Sequence, residues 1–256
     1  MNDDLRLALA LADAADAITM RSFQSTFTVR TKADRTPVTE VDEAVERAIR
    51  ATLERERPDD GIVGEEFGAR GNASRRWIID PIDGTKNFIR GIPVFGTLIA
   101  LEWGGEAAAL RAAPGGAAPR SLGVVSAPAL HRRWWAIHGQ GAFCNGTPIH
   151  VSPVDALGEA MLAGLEIDER VLALGRACKH VRGFGDFWQH MLVAEGACEI
   201  AIDPVVAHWD MAAVQVIVEE AGGRFTTLGG DARADGGSGV STNGAFHEQV
   251  LRYFRD

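Results

Sequence analysis

The 256-residue chain has little of what defines several protein classes. Its three cysteines, Cys144, Cys178 and Cys198, are too few and too scattered for a disulfide framework or a zinc knuckle. They read as reduced core or near-core residues of a cytoplasmic protein, because free cysteine packs as a small hydrophobe. No run approaches the roughly 18 uncharged apolar residues that a membrane-spanning helix needs. Positive charge is in deficit, with 26 Lys and Arg against 35 Asp and Glu and a formal charge of −9. A chain with that balance is not expected to coat nucleic acid. The start, Met1-Asn2-Asp3-Asp4, is acidic, which argues against a signal or transit peptide. No repeat of fixed period occurs, and no Cys or Ser stands in a recognisable nucleophile motif. What is present is an ordinary globular composition, 46% apolar and 24% charged, on a chain long enough to bury a sizeable core.

Hydrophobic periodicity divides the chain in two. Leu5, Ala8, Leu11, Ala15 and Ile18 recur at helical spacing. Thr39 reads as the N-cap of a second helix, with Val41, Val45, Ala48 and Leu53 as its buried stripe. Residues 61–64 and 77–79 read as short strands, the second ending at Asp80-Pro81. Residues 97–103, 122–126 and 134–137 read as further strands, with a turn at Gly104-Gly105 and a hairpin signal at Asn145-Gly146. The stretch 107–120, rich in Ala, Pro and Gly, is in part a loose surface loop. Beyond it, helices are expected at 171–178, 187–197, 210–221 and 248–254, and a strand at 240–242. Gly222-Gly223 supplies the stop for the third of these helices. The expected class is α/β, with 1–151 an α+β half of helices on a mainly antiparallel sheet and 152–256 an α/β half.

The informative residues are acids at strand ends. Glu65 and Glu66 follow 61–64, Asp80 and Asp83 follow 77–79, and Asp210 opens the helix expected at 210–221. Pro81 fixes φ and removes a donor, so the loop carrying Asp80 and Asp83 is stiff. Gly84 permits a turn that a side chain would block. Two carboxylates three residues apart on such a loop can converge on one point. Buried together they repel, and protons or cations must relieve them. Hard divalent ions with oxygen ligands do this, and Mg²⁺ typically keeps waters and substrate phosphate in its shell. Each acid also has a plainer reading. Asp80 is a turn former before Pro81, Asp210 a first-turn acid facing the helix dipole, and Asp42 the acidic half of a capping box with Thr39. Glu65 or Glu66 alone is a solvated loop residue.

Three blocks set the acids in a larger pattern: Gly64-Glu65-Glu66; Trp77-Ile78-Ile79-Asp80-Pro81-Ile82-Asp83-Gly84-Thr85-Lys86-Asn87-Phe88; and Trp209-Asp210-Met211-Ala212-Ala213 followed by Glu220-Ala221-Gly222-Gly223. Thr39-Glu40-Val41-Asp42 is a weaker motif upstream. In these blocks the sequence resembles the inositol monophosphatase-like family of metal-dependent phosphatases. Within it, Arg90-Gly91-Ile92-Pro93, Arg133-Trp134-Trp135, Gly183-Phe184-Gly185-Asp186-Phe187 and Leu192-Val193-Ala194-Glu195-Gly196 resemble the histidinol-phosphatase branch. That branch removes phosphate from L-histidinol phosphate in histidine biosynthesis.

The resemblance implies a layered αβαβα sandwich, a site between the two halves, a homodimer, and two or three Mg²⁺ ions. It gives the first ion to Glu65, Asp80 and the backbone carbonyl of Ile82, and the second to Asp80, Asp83 and Asp210. Glu65 also shares a third, weaker ion, and the pattern puts Glu66 second to Glu65. Asp42 and Thr85 are implied to orient and activate the attacking water. Asp83 and the Gly84 and Thr85 N–H groups, opening a short helix, are implied to meet the substrate phosphate. Asp186 and Asp203 stand at substrate positions, and Arg182 contacts phosphate or balances Asp186. The alternatives remain that Asp186 caps the helix at 187–197 and that Asp203 is a turn residue before Pro204. Trp103, Trp134, Trp135 and Trp188 read as core or dimer-contact residues. The segment 161–168 is shorter than in relatives, and 107–120 longer.

Ester hydrolysis of this kind needs charge neutralisation, a positioned nucleophile and a stabilised leaving oxygen. The expected activity is a Mg²⁺-dependent phosphomonoesterase acting on a small molecule, with histidinol phosphate as first choice. The alternatives are an inositol-1-phosphate or broad sugar or nucleotide phosphatase and, outside that class, a non-catalytic metal- or metabolite-binding protein.

Overall fold

The computed structural model describes residues 2–33, 35–71, 74–103, 120–164 and 168–255. The expected turn at Gly104-Gly105, the expected loop as far as residue 119, and residues 165–167 of the short segment lie outside them. Packing divides the chain into Met1–Arg133 and Trp134–Asp256, so residues 134–151 pack with the second unit.

The first unit runs α1 (Asp3–Ser22), β1 (Val29–Thr31), β2 (Pro37–Thr39), α2 (Glu40–Glu56), β3 (Gly61–Gly64), β4 (Gly68–Arg70), β5 (Arg76–Asp83), α3 (Thr85–Ile89), β6 (Gly96–Trp103) and β7 (Arg120–Ala127). Leu5, Ala8, Leu11 and Ala15 of α1 and Val41, Val45 and Leu53 of α2 are buried, as their spacing requires, whereas Ile18 and Ala48 are half-buried and Ile49 takes the place of Ala48 in the buried stripe of α2. Thr39 caps α2: its hydroxyl accepts from the N–H of Val41 at 3.1 Å and of Asp42 at 3.3 Å. The strands lie in the order β7-β6-β5-β3-β4. Only the β3–β5 pair is parallel, which agrees with a mainly antiparallel sheet. The polar stretch before Thr39, given no structure by its pattern, forms the β1–β2 hairpin.

Two local features position the acids. The first corrects the expected strand end. β5 does not stop at Ile79 but continues through Asp80 and Pro81 to Asp83. Asp80 pairs with Leu98 and Asp83 with Gly96, a slip of one residue between them. Proline inside a sheet demands such a bulge because it cannot donate to the ladder. Here the Pro81 carbonyl accepts instead from the buried Thr97 hydroxyl, at 2.8 Å. In a regular strand a spacing of three puts two side chains on opposite faces. The extra residue resets that alternation.

The second feature is Glu46, fully buried on α2. Its carboxylate accepts from the backbone N–H of Glu66 at 2.7 Å and of Phe67 at 3.2 Å, and from Arg50 Nε at 2.7 Å. Arg50 also donates to the Gly68 carbonyl. The segment carrying Glu65 and Glu66 is thus clamped to α2. Gly64 makes the approach possible, since a Cβ there would fall on the Glu46 carboxylate.

The second unit holds β8 (Arg132–Ile137), which crosses the division, then β9 (Ala142–Cys144) and β10 (Thr147–Ile149). Asn145 and Gly146, both at positive φ, turn β9 into β10 as the dipeptide predicts. There follow β11 (Met161–Ala163), α4 (Glu169–Ala177), β12 (His180–Arg182), α5 (Asp186–Ala194), β13 (Ile200–Asp203), α6 (His208–Glu220), β14 (Arg224–Thr226), β15 (Gly239–Thr242) and α7 (His247–Leu251). The sheet order is β12-β11-β13-β15-β14, with β11 parallel to both neighbours and the other pairs antiparallel. Leu162, Leu174, Ile200, Ile202, Val240, Val250 and Leu251 belong to its core. The helix expected at 187–197 ends at Ala194, where Gly196 turns back at φ +73°. The last helix starts at His247 and stops at Leu251, short of the expected 254.

Two outcomes follow. Gly64→Ala forces Glu46 off the Glu66 and Phe67 amides and should cost about 1–3 kcal/mol of unfolding free energy, measured by urea denaturation; an unchanged midpoint would discard the clamp. Glu219 on α6 is pushed up to about 7 by burial, against the pull of a 2.9 Å bond from Gln215. Between its ordinary value of 4.5 and about 7, the folded chain keeps a proton that the unfolded chain has lost. Its contribution is whole below that window and is lost as pH rises through it. Glu219→Gln should therefore be more stable than the parent at pH 8 by on the order of 1–3 kcal/mol, the difference closing towards pH 4. A difference independent of pH would remove this assignment.

Candidate active site

In the first unit, the turn from β5 into α3 brings three of the expected groups together. Gly84, the N-cap of α3, sits at φ +80°, in the left-handed region that glycine tolerates. The chain reverses there and Thr85 begins the helix. Thr85 Oγ1 lies 2.9 Å from the Ile82 carbonyl oxygen and 3.2 Å from Asp42 Oδ1. Its single proton has two acceptors.

Asp42 is fully buried, and each of its carboxylate oxygens has a partner. Oδ2 accepts from the Thr39 N–H at 2.9 Å and from the Thr39 hydroxyl, which closes the capping box. Oδ1 faces Thr85. Burial pushes its carboxyl up, the bonds from Thr39 oppose that, and the charge of Glu65 raises it further. Glu65 is thus close enough for its field to be felt at Asp42.

Glu65 and Glu66 share a cation that no sequence signal announced. Lys32, at the tip of the β1–β2 hairpin, places Nζ 2.7 Å from an oxygen of each. Burial alone would lower the Lys32 ammonium, but the two carboxylates outweigh it and hold it above its usual value. Glu66 is nevertheless pushed up to about 7, by burial and by the negative charges of Glu65 and Asp42, with Lys32 pulling the other way. One lysine does not balance this group of acids.

Asp80 is 2% exposed. Ile82 is buried beside it, and Asp83, one residue on, is half-buried. Glu46 and Lys32 are the residues that the sequence reading missed. Glu46 had a signal: Asp42, Glu46, Ile49 and Leu53 fall at i, i+4, i+7 and i+11, so an acid stood within the buried stripe of α2. Lys32 had none.

In the second unit, Asp210 is in the first turn of α6, and its Oδ2 accepts the Ala207 N–H at 2.7 Å. The plainer helix-end reading is satisfied by that bond. Asp203 ends β13 with Oδ2 at 2.8 Å from His190 Nε2. Asp186 is not the N-cap of α5, as its alternative reading had it; Gly185 is, and Asp186 follows at φ +52°. Arg182 ends β12, exposed, and donates to the Val181 carbonyl at 2.9 Å.

Among the described residues, no three His, Cys, Asp or Glu side chains stand close enough to hold a metal ion by themselves. The donors still have the character of a hard-cation site. They are carboxylates and one backbone carbonyl, and in the first unit Glu65 already draws an ammonium to itself. No helix among the described residues is long and apolar enough to cross a membrane. None of the three cysteines is in a disulfide, and burial pushes Cys178 and Cys198 up to about 11, so neither is a ready nucleophile.

The inositol monophosphatase family model matches residues 1–256. A histidinol-phosphatase of Streptomyces coelicolor is 47% identical over 98% of this chain and 96% of its own. One of Mycobacterium tuberculosis is 47% identical over 98% and 97%. Of solved structures, an IMPase of Thermotoga maritima superposes with a TM-score of 0.87 at 31% identity, covering 99% of this chain and 97% of that one. An IMPase/NADP phosphatase complexed with Mg²⁺ and phosphate superposes with a TM-score of 0.82 at 26% identity, covering 98% and 94%. A whole-length family match, near-complete alignment to those relatives and the shared mixed α/β fold agree: the chain belongs to the inositol monophosphatase family.

Proposed function

We infer that the protein is a Mg²⁺-dependent phosphomonoesterase and that its substrate is L-histidinol phosphate, hydrolysed to L-histidinol and phosphate. The observation that carries the chemistry is the Thr85 hydroxyl against Asp42 at the head of α3, within the field of Glu65. The choice of substrate is supported by the 47% identity to histidinol-phosphatases along nearly the whole chain.

Glu65, Asp80, the Ile82 carbonyl, Asp83 and Asp210 would hold two or three Mg²⁺ ions. Bound there, the ions supply charge neutralisation on the phosphate and acidify water. The chain's own groups do the rest. Thr85 Oγ1 commits its proton to Asp42 Oδ1 and presents a lone pair to the O–H of the attacking water. Asp42, already tied by Oδ2 to Thr39, cannot swing away from this task. Asp83 and the N–H groups of Gly84 and Thr85 meet the phosphate oxygens, the amides by the attraction of a helix start for anions. Arg182 adds positive charge for the phosphate. Asp186 and Asp203 accept from the ammonium and imidazole of the histidinol portion. Lys32 and Glu66 stand at the edge of the metal set, Lys32 holding Glu65 in place until a stronger cation competes for it. The proposed setting is a cytoplasmic homodimer; cysteines that form no disulfide support a reducing compartment, and the dimer rests on the family resemblance. The residue ranges 1–151 and 152–256 are proposed as the metal- and phosphate-binding half and the substrate-specificity half.

Two experiments test this. Purified protein with Mg²⁺ is assayed for phosphate release from histidinol phosphate, inositol 1-phosphate, fructose 1,6-bisphosphate and a 3′,5′-bisphosphonucleotide. The highest kcat/KM is expected for histidinol phosphate; a preference for inositol 1-phosphate would select the other branch, and release from none would favour a binding protein. In the second, Asp80→Asn and Asp210→Asn should leave a folded protein, judged by circular dichroism, with activity lower by about 10³-fold or more. Thr85→Val should lose about 10²-fold in kcat. Near-normal turnover in either aspartate variant would remove it from the metal set.

A further inference from the structure

Two histidines of the second unit are fully buried, and their surroundings differ. His247, on α7, has its ring nitrogens 2.9 Å from the Thr226 and Thr242 hydroxyls. Both hydroxyls are themselves buried, and their further bonds are to backbone groups, Thr226 donating to the Thr227 carbonyl and Thr242 accepting from the Gly244 N–H. His190, on α5, has Nδ1 2.7 Å from Ser241 Oγ on β15 and Nε2 2.8 Å from Asp203 Oδ2 at the end of β13. Ser241 and His190 are wholly enclosed, whereas the Asp203 side chain keeps 17% of its surface. The line Ser241–His190–Asp203 therefore runs from the core to an accessible carboxylate.

The carboxylate fixes the direction of the outer bond. A carboxylate only accepts, so Nε2 carries its hydrogen towards Asp203. In a neutral ring Nδ1 is then the acceptor and the Ser241 hydroxyl the donor, which sets the tautomer. The frame is stiff. Ala201 and Ser241 are register partners on β13 and β15. Gln189, next to the histidine, donates Nε2 to the Ile202 carbonyl at 3.1 Å, next to the aspartate. A turn residue before Pro204 needs no such support. Nor does a buried serine without a solvent path act as a nucleophile.

We propose that His190 is a positioning residue for substrate recognition: by donating to Asp203 Oδ2 it holds that carboxylate in one orientation and leaves Oδ1 to accept from the primary ammonium of an amino-alcohol phosphate ester. The proposal rests on the assignment of Asp203 to the substrate in the preceding subsection. The ligand class follows from the chemistry, since a fixed anionic acceptor at a strand end selects a cationic donor on the leaving group.

The test compares the parent, Asp203→Asn, His190→Gln and Ser241→Ala with Mg²⁺ at saturation. The substrates are histidinol phosphate and p-nitrophenyl phosphate, which has no ammonium. His190→Gln should raise KM for histidinol phosphate by about tenfold relative to its effect on KM for p-nitrophenyl phosphate, with kcat for histidinol phosphate within about twofold. Ser241→Ala, which keeps the ring but frees its tautomer, should move the same ratio by about threefold. In the parent, ¹⁵N-resolved spectra of the imidazole should show the hydrogen on Nε2. Equal losses on both substrates, or no change in the ratio, would reduce His190 to a packing residue and overturn the proposal. Should His190→Gln melt far below the parent, Ser241→Ala decides by the same ratio. If Asp203→Asn leaves KM for histidinol phosphate unmoved, the substrate assignment of Asp203 falls and the proposal with it; if that variant responds while His190→Gln and Ser241→Ala do not, only the proposal falls.

Discussion

Carboxylates gathered out of water must each be given a reason to stay, and this constraint organises the first unit. Burial disfavours the charged form, and like charges at short range disfavour it further. Asp42 is relieved by two donors from Thr39, and it shares the Thr85 hydroxyl with the Ile82 carbonyl. Glu46 is relieved by Arg50 and two backbone amides. Glu65 and Glu66 have one lysine between them, and Glu66 is still pushed up to about 7. The acids closest to full internal satisfaction anchor the backbone. Glu65, which shares its one lysine with Glu66, is among the residues proposed above to hold Mg²⁺.

The backbone features follow from the same requirement. The Pro81 bulge costs a regular ladder between β5 and β6, and the Thr97 hydroxyl recovers the freed Pro81 carbonyl. Gly64 gives up a side chain so that Glu46 can reach the amides after it. Gly84 takes a left-handed turn so that Thr85 arrives beside Asp42. None of these improves packing. Each spends local regularity on placing a carboxylate or a hydroxyl, the pattern expected where function overrides local preference.

Much of this was legible from residue order, and the exceptions have physical causes. Long amphipathic helices such as α1 and α2 declare themselves by spacing, and Thr39 with Asp42 declares a cap. The Asp80–Thr85 block was visible as a rigid acidic segment, but its form was mistaken, because proline normally ends a strand, whereas here the Thr97 bond and the resumed pairing of Asp83 with Gly96 carry the strand past it. β11, β12, β13 and β14 have three or four residues each, too few to show alternation. Their pairing comes from neighbours distant in sequence. Lys32 lies in a polar hairpin whose pattern does not separate it from its solvated charged neighbours. Glu46 and His190 were readable in principle as polar residues within buried stripes, since His190 shares its face of α5 with Phe187, Met191 and Ala194.

Glu46 and His190 also show why a buried polar residue carries more information than a buried apolar one. An apolar side chain in a core is explained by its burial alone. A charged or polar one is costly there unless its bonds are met, so the identity of its partners states its purpose. Glu46 points to backbone amides beside Glu65 and Glu66, and its purpose is the placement of a loop. His190 points outward to a carboxylate with solvent access, and inward to a serine with none. A structural histidine such as His247 needs two partners of any kind and finds two threonines. A histidine whose outer partner is an accessible acid has its bonding satisfied in a way that also orders that acid, and ordering an exposed carboxylate serves binding more directly than it serves stability.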